Sequence, residues 1–145
     1  MALWVDGEGP SHMVHQALTC AGEIATMTTK LGEEINNLPW PLAIGAAINT
    51  GEAVIGNVGV DGNRDHTVIG DAVNVAFRLE GLTSTLGKDL LLGNETAAML
   101  DQNLLSTYFV PCEYQVKGKS LPVMAHACTF DQLRQYLAQR KKTAG

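Results

Sequence analysis

The first long pattern of apolar residues predicts a helix that begins near Ser11 and ends at about residue 37. Ser11 is a favourable N-cap, and Pro39 stands beyond the end as a stop signal. Gly22 and Gly32 each weaken such a helix by about 1 kcal/mol relative to Ala, so we expect it to depend on packing against a sheet. Its apolar positions recur at intervals of three and four residues: Val14, Ala17, Leu18, Ala21, Ile24, Leu31 and Ile35.

Shorter apolar runs predict strands. Residues 42–48 and 52–58 are predicted to form a hairpin, because Asn49, Thr50 and Gly51 between them have hairpin-turn chemistry. Further strands are predicted at 2–5, where only the end of a strand is present, at 89–92, which is buried, and at 108–116, an edge strand that contains Pro111 and has its hairpin partner at 121–130. One helix is predicted to be capped by Thr96 and to end near 102, and another to span 131–142. Residues 60–64 are predicted to form a polar loop.

A strand, a glycine and a second helix are predicted between residues 65 and 87. Val68 and Ile69 are β-branched, Gly70 interrupts the run, and Asp71 is a favourable N-cap. The apolar positions that follow recur with the period of a helix that ends near Leu86 and Gly87; they are Val73, Ala76, Leu79 and Leu82. In α/β proteins a ligand tends to bind where a strand ends in this way.

Asn74 and Arg78 are four residues apart on this helix, so both side chains lie on one face, one turn apart. An amide and a guanidinium on one face suit ribose oxygens and phosphate, because Arg matches the geometry of phosphate. An Asn and an Arg on a solvated helix face would show the same spacing. Spacing alone therefore does not decide between binding and solvation.

Three segments in order resemble the class III adenylate/guanylate cyclase catalytic domain. The central one runs from Thr67 to Glu80 (TVIGDAVNVAFRLE). It is preceded by the run from Ile44 to Gly59 (IGAAINTGEAVIGNVG), which resembles that family's hairpin, and followed by Val116 to Lys119 (VKGK), which resembles its late lysine loop. A chance match would have to reproduce three ordered motifs, so an unrelated ferredoxin-like ligand-binding domain is the weakest alternative.

The resemblance implies a fold, an activity and an assembly. The fold is α/β, a ferredoxin-like cyclase fold whose mixed, mainly antiparallel sheet carries packed helices. Residues 1–130 would form a partial catalytic domain, and 131–145 a C-terminal helix and tail. The activity is that of a lyase in signal transduction, which converts ATP, in preference to GTP, to a 3′,5′-cyclic nucleotide and pyrophosphate. It uses two Mg or Mn ions at the interface of a homodimer, or of a heterodimer with a complete cyclase domain.

The resemblance also assigns roles to single residues. Asn74 would orient the ribose, and Arg78 would stabilise charge on the phosphate in the transition state. Lys117 would reach the terminal phosphates, with Lys119 as the alternative. Thr67 stands at the position that contacts the purine, where Thr is similar to bacterial adenylate cyclases. Because a hydroxyl both donates and accepts, Thr67 does not exclude guanine.

The family's metal-binding part has no match in this chain. Its two metal-binding Asp residues and the strand that carries the first would lie before residue 1, and Asp6, Glu8 and Asp71 do not match either position. No metal ligand is therefore nominated, and an unpaired sheet edge is expected. We expect a C-terminal portion of a cyclase, inactive by itself. The alternative is a non-catalytic dimerisation or regulatory module that pairs with a complete cyclase.

Length, net charge and cysteine spacing limit the kinds of partner and the environment expected for this chain. A chain of 145 residues is the size of one domain, and its net charge of −5 argues against a nucleic-acid partner, since neutralising phosphates needs a basic patch. Cys20, Cys112 and Cys128 lack zinc or disulfide spacing, so reduced thiols in the cytoplasm are expected. No apolar run approaches the roughly 18 residues of a membrane span.

Overall fold

The computed structural model describes residues 1–5, 9–35, 37–60, 63–115 and 122–144. Five helices and six strands lie in this described part. In chain order they are α1 (Pro10–Glu34), β1 (Ala46–Ile48), β2 (Val54–Val60), β3 (Asn63–Ile69), α2 (Asp71–Leu86), β4 (Leu90–Gly93), α3 (Asn94–Ala98), α4 (Gln102–Tyr108), β5 (Val110–Tyr114), β6 (Val123–Cys128) and α5 (Phe130–Ala144).

A four-stranded sheet in the order β1-β4-β6-β5 forms the centre of the fold. β1 runs parallel to β4, whereas the β4–β6 and β5–β6 pairs are antiparallel. The sheet is therefore mixed and mainly antiparallel, and the predicted α/β class is confirmed. β5 lies at an edge, as its Pro111 predicted, because a proline lacks the N–H that a central strand must donate.

Strand β4 is buried on both faces. Leu90, Leu91 and Leu92 are all 0% exposed, which explains why this strand is a continuous apolar run rather than an alternating one. Leu90 and Leu92 contribute to a core with residues of α1, α4 and α5, including Leu18 and Tyr136. Leu91 points to the opposite face and belongs to a second core beneath α2. Burying each leucine contributes about 1.5–3 kcal/mol.

The hairpin predicted from residues 42–58 is wrong. β1 pairs with β4, and β2 pairs with β3 in a separate two-stranded ribbon. In the ribbon Val60 lies opposite Asn63. The polar loop predicted at residues 60–64 is therefore wrong in its bounds, because Val60, Asn63 and Arg64 lie in the two strands, while Asp61 and Gly62 lie outside the described residues.

Two helix starts also differ from the predictions. α1 begins two residues earlier than a Ser11 cap predicts, with Gly9 as N-cap and Pro10 in the first turn, where the missing N–H of proline costs nothing. The Ser11 hydroxyl instead donates to the carbonyl of Met99, at 3.3 Å. Thr96 lies inside α3 rather than capping it, because α3 already begins after Gly93.

The cap of α4 and the segment 2–5 also differ from the predictions. Asp101 caps α4, where its carboxylate accepts from the backbone N–H groups of Asn103 and Leu104 at 2.9 and 3.0 Å. The strand expected at residues 2–5 is not observed. No described strand pairs with that segment, and a strand requires a partner for its backbone groups.

Replacement of Gly45 by Ala is expected to destabilise the fold. The new Cβ would collide with the Thr83 hydroxyl and lie 3.2 Å from its Cβ, and Thr83 is buried between α2 and the sheet. We expect the free energy of unfolding to fall by about 1–3 kcal/mol in urea denaturation. The control is Gly81→Ala, where the added Cβ meets nothing within 4 Å, so a gain of up to about 1 kcal/mol is expected. Equal stabilities for the two variants would contradict this packing.

Acid is expected to weaken the fold through His15 and His126. Burial is the largest cause that lowers the pKa of each imidazole below its usual 6.5. The unfolded chain therefore binds protons before the folded chain does, so this contribution is fully present above pH 6.5 and declines as pH falls towards the lowered values. Urea denaturation from pH 7.5 to 5 should show it. His15→Gln and His126→Gln should each flatten the slope, and an unchanged slope in both would contradict the assignment.

Candidate functional site

The site predicted from the sequence is organised by the start of α2. β3 ends at Ile69, Gly70 is the N-cap, and Asp71 is the first helical residue, so the predicted Asp71 cap is wrong by one position. The Gly70 carbonyl accepts from the N–H groups of Val73 and Asn74, at 3.1 and 3.2 Å. As an acidic residue in the first turn, Asp71 interacts favourably with the helix dipole.

α2 ends where the sequence predicts. Gly87 is the C-cap in the left-handed conformation, with φ of 59°, which a glycine adopts without the steric cost of a Cβ. Between the two ends the helix buries Leu79 and Thr83 towards the sheet. One face of α2 is therefore held against the sheet from Leu79 to Thr83.

Asn74 and Arg78 lie on the outward face of α2. Both residues are exposed, and Phe77 between them is 61% exposed. Since residues four apart in a helix are one turn apart on one side, the amide and the guanidinium are neighbours on a solvent-facing surface. The predicted juxtaposition is thus present in the structure, and both groups are accessible to a ligand.

The segment between β1 and β2 fastens the first turn of α2, which sequence reasoning missed. The Asn49 side-chain amide donates to the carbonyl of Ala72 at 2.9 Å. The hydroxyls of Thr50 and buried Thr96 form a hydrogen bond of 3.0 Å. Because Ala72 is two residues before Asn74, these bonds set the position of the turn that carries Asn74. A hairpin turn at residues 49–51 does not predict a contact with α2, because such a turn would only connect two neighbouring strands.

Two glycines allow this close approach. A Cβ on Gly51 would lie 2.7 Å from the Cβ of Ala72, and one on Gly93 would collide with the side-chain amide oxygen of Asn49. Real Cβ atoms are not found this close to other heavy atoms, so each contact requires a residue without a side chain. The first turn of α2 therefore packs closely against Gly51, and the Asn49 side chain packs closely against the end of β4.

Of the other predicted binding residues, Thr67 is described by the structure and the two lysines are not. Thr67 is half-buried in β3, opposite Gly56 of β2, and the next residue, Val68, is buried. Lys117 and Lys119 lie outside the described residues, and so do Asp6 and Glu8. The roles assigned to the two lysines therefore stay predictions.

Tyr114 is a further residue beside this site that sequence reasoning missed. It ends β5, three residues before Lys117, and it is only 7% exposed. Burial raises the pKa of its phenol, and the nearby positive charge of Arg78 partly opposes that rise. The Tyr114 hydroxyl has no hydrogen-bond partner in the described part of the chain. Alternation along β5 could have placed the ring towards a core, but not beneath α2.

The described residues do not fit a metal centre. Among them no group of three or more His, Cys, Asp or Glu side chains is arranged to hold a metal ion. The Mg or Mn ions that the resemblance implies therefore have no ligand set here, and no chemical step is derived through them. In the same residues, no helix is both long enough and apolar enough to cross a membrane.

Apolar side chains are exposed near the site. Val54 and Ile69 lie opposite each other in the β2–β3 ribbon and are 73% and 60% exposed. Phe77 adds a large exposed ring on α2. Exposed apolar groups of this size, close to polar binding groups, are typical of surfaces that bind another protein.

A cavity lies elsewhere in the described part of the chain. It has a volume of about 450 Å³ and is open to solvent between α1 and α5, where His12, His15, Cys20 and Arg140 contribute to its lining. None of the residues predicted to bind nucleotide lines it. Asn74 and Arg78 instead lie on the exposed face of α2.

Comparison with known proteins identifies the family. The chain is 39% identical over 121 residues to the adenylate cyclase of Anabaena cylindrica, which covers 82% of this chain and 24% of that protein. It is 43% identical over 51 residues to adenylate cyclase 1 of Rhizobium meliloti, covering 35% of this chain and 8% of that protein. No family model matches. The chain thus spans about a quarter or less of these curated relatives.

Solved structures share the fold. The adenylyl cyclase CyaB from P. aeruginosa is 26% identical, with a TM-score of 0.64 over 84% of this chain and 61% of that one. The guanylyl cyclase Cya2 is 22% identical, with a TM-score of 0.66 over 86% of this chain and 61% of that one. Sequence and fold agree, and the chain belongs to the class III adenylate/guanylate cyclase catalytic domain family, of which it spans a part.

Proposed function

We propose that this chain supplies the ribose- and phosphate-binding half of an active site that converts ATP to 3′,5′-cyclic AMP and pyrophosphate. The observation that carries the proposal is the pair Asn74 and Arg78, exposed one turn apart on α2 in a chain of the cyclase family. This reaction is a phosphoryl transfer, in which the protein acts mainly by positioning its substrate and stabilising charge. The pair provides groups for both tasks.

Each of the two groups has a chemical role in the proposal. The Asn74 amide has a donor and an acceptor for ribose hydroxyls, so it can hold the sugar in one orientation. The Arg78 guanidinium carries a fixed positive charge and a planar set of donors, which suit the oxygens of a reacting phosphate. Packing of Leu79 beneath the same turn, and the bond from Asn49 to Ala72, keep the helix that presents them in place.

The proposed substrate is ATP rather than GTP. Two relatives in the comparison are named adenylate cyclases, although a guanylyl cyclase is among the structural neighbours. Thr67 is the proposed contact to the purine, and its half-buried hydroxyl can donate or accept. Lys117 is proposed to bind the terminal phosphates, and the two metal ions would be bound by the cyclase domain that supplies the other half of the site.

A dimer completes the proposed site. The exposed Val54, Ile69 and Phe77 provide apolar surface beside Asn74 and Arg78, so a second cyclase domain docked there would bring its own groups to the same place. The partner is a second copy or a complete cyclase domain. We further propose a cytoplasmic setting, because all three cysteines are free thiols.

The second candidate function is a non-catalytic module that pairs with a complete cyclase domain and contributes to its dimerisation or regulation. The observation that favours it is the lack of a metal-ligand group among the described residues. The two functions differ in one measurable respect. A catalytic half-site needs Asn74 and Arg78 for turnover, whereas a regulatory module needs only its docking surface.

Catalysis can be tested in a chimaera of the Anabaena cylindrica cyclase in which this chain replaces the matching segment. We expect cyclic AMP from ATP with Mg or Mn, and little product from GTP. Asn74→Ala and Arg78→Ala should each reduce kcat by a factor of about 10² or more, because charge and orientation are lost in the transition state. Ser84→Ala, exposed on the same helix, is the control and should have no effect. A folded, dimeric chimaera without turnover would favour the regulatory module.

Association can be tested on the chain itself by sedimentation velocity. Replacement of both Val54 and Ile69 by Ser should weaken self-association, or association with a cyclase domain, by a factor of ten or more, since burial of apolar surface is lost. Met27→Ser is the matched control, because Met27 is 68% exposed but lies on α1. Equal effects from the ribbon and α1 substitutions would argue against the ribbon as the interface.

A further inference from the structure

Tyr114 lies beneath the turn of α2 that carries Arg78. Its ring belongs to the core formed with Leu79 and Leu91, and partly buried Val75 and Leu82 pack against that core. Val75 precedes Arg78 by three residues and Leu82 follows it by four, so both lie on the Arg78 side of the helix. The Arg78 side chain therefore extends from α2 at the border between the buried and the exposed face of the helix.

The hydroxyl of Tyr114 is buried without a hydrogen-bond partner in the described part of the chain. The residue is more than nine-tenths buried, with a relative exposure of 7%. A buried hydroxyl that lacks a partner is costly, so such groups in native proteins usually have a local donor or acceptor within reach. The Tyr114 hydroxyl is at the end of β5 that leads towards Lys117.

Arg78 is the neighbour of Leu79, which belongs to the same core as Tyr114. Its positive charge acts on Tyr114, where it lowers the pKa of a phenol that burial otherwise raises. The guanidinium has N–H donors only, and the phenol oxygen is an acceptor, so the two groups are complementary. The Arg78 side chain is exposed and has several rotatable bonds, so its guanidinium can take more than one orientation.

We propose that Tyr114 is a positioning residue, whose buried hydroxyl accepts a hydrogen bond from the Arg78 guanidinium and holds it in one orientation beside Asn74. The ring is fixed by its core contacts with Leu79 and Leu91, so the oxygen is a rigid anchor on the sheet rather than on the helix. A guanidinium held in this way is already oriented before the phosphate arrives. The expected effect on catalysis rests on the proposed function, whereas the hydrogen bond between Tyr114 and Arg78 does not.

The contact is tested by NMR on the chain labelled with ¹⁵N-arginine. The Nε–Hε signal of Arg78, assigned by its loss in Arg78→Lys, should exchange with water about tenfold faster in Tyr114→Phe than in the unsubstituted chain. The Arg134 signal is the internal control, since that exposed side chain pairs with Asp131 on α5. Equal exchange rates for Arg78 in the two proteins would overturn the proposal. Tyr114→Phe keeps the ring, and Tyr114→Met serves as a second variant should the first fail to fold.

The catalytic consequence is tested in the chimaera with the Anabaena cylindrica cyclase. Tyr114→Phe should lower kcat about tenfold and leave KM for ATP nearly unchanged, since the orientation of charge is lost rather than binding. In an Arg78→Ala background the same substitution should have no further effect, because the two residues act as one unit. An equal loss in both backgrounds would overturn the proposal. If every chimaera is inactive, the proposed function fails, and the arginine exchange rates still decide the contact.

Discussion

The burial of Leu90, Leu91 and Leu92 is the constraint on which the rest of this structure depends. Because β4 is covered on both faces, it needs a helical layer on each side and a strand along each edge. β1 and β6 satisfy its backbone groups, while α1 and α5 cover one face and α2 covers the other. A single apolar strand thereby determines which elements must meet.

The position of α2 follows from that constraint, and it gives the helix one buried side and one exposed side. Leu79 faces the sheet and is fully buried, whereas Asn74 and Arg78 face outwards. Binding groups on a helix that is packed against a sheet are held more precisely than groups on a loop. The bond from Asn49 to Ala72 adds a second restraint at the first turn, where orientation of Asn74 matters most.

The same arrangement explains why the chain presents apolar groups to solvent. The β2–β3 ribbon forms its own two-stranded sheet, and an isolated pair of strands cannot bury both of its faces. Val54 and Ile69 are therefore exposed beside the polar face of α2. Recognition of a nucleotide and association with a second domain would then use adjoining surfaces, which is the arrangement that a shared active site requires.

Local regularities in the sequence were sufficient for much of the fold. The helical period placed Asn74 and Arg78 on one face, Gly87 ended α2, and Pro111 marked an edge strand. Each of these depends on backbone geometry within a few neighbouring residues. The resemblance to cyclases rested on local motifs as well, and the comparisons confirmed the family.

Strand pairing was decided only by the tertiary structure. Residues 42–58 have the pattern of a hairpin, yet β1 joins β4, because the buried strand provides a partner that is distant in sequence.

Side-chain contacts between residues that are distant in sequence were likewise decided by the tertiary structure. Asn49 reaches Ala72 across 23 positions, and Thr50 reaches Thr96 across 46. Tyr114 came to lie beneath Arg78 for the same reason. The sequence by itself determined the family, the helices and the exposed pair on α2, since these follow from local periodicity and motif. Which side chains support that pair was decided by the packing of the two layers on β4, and packing between distant segments has no local signature.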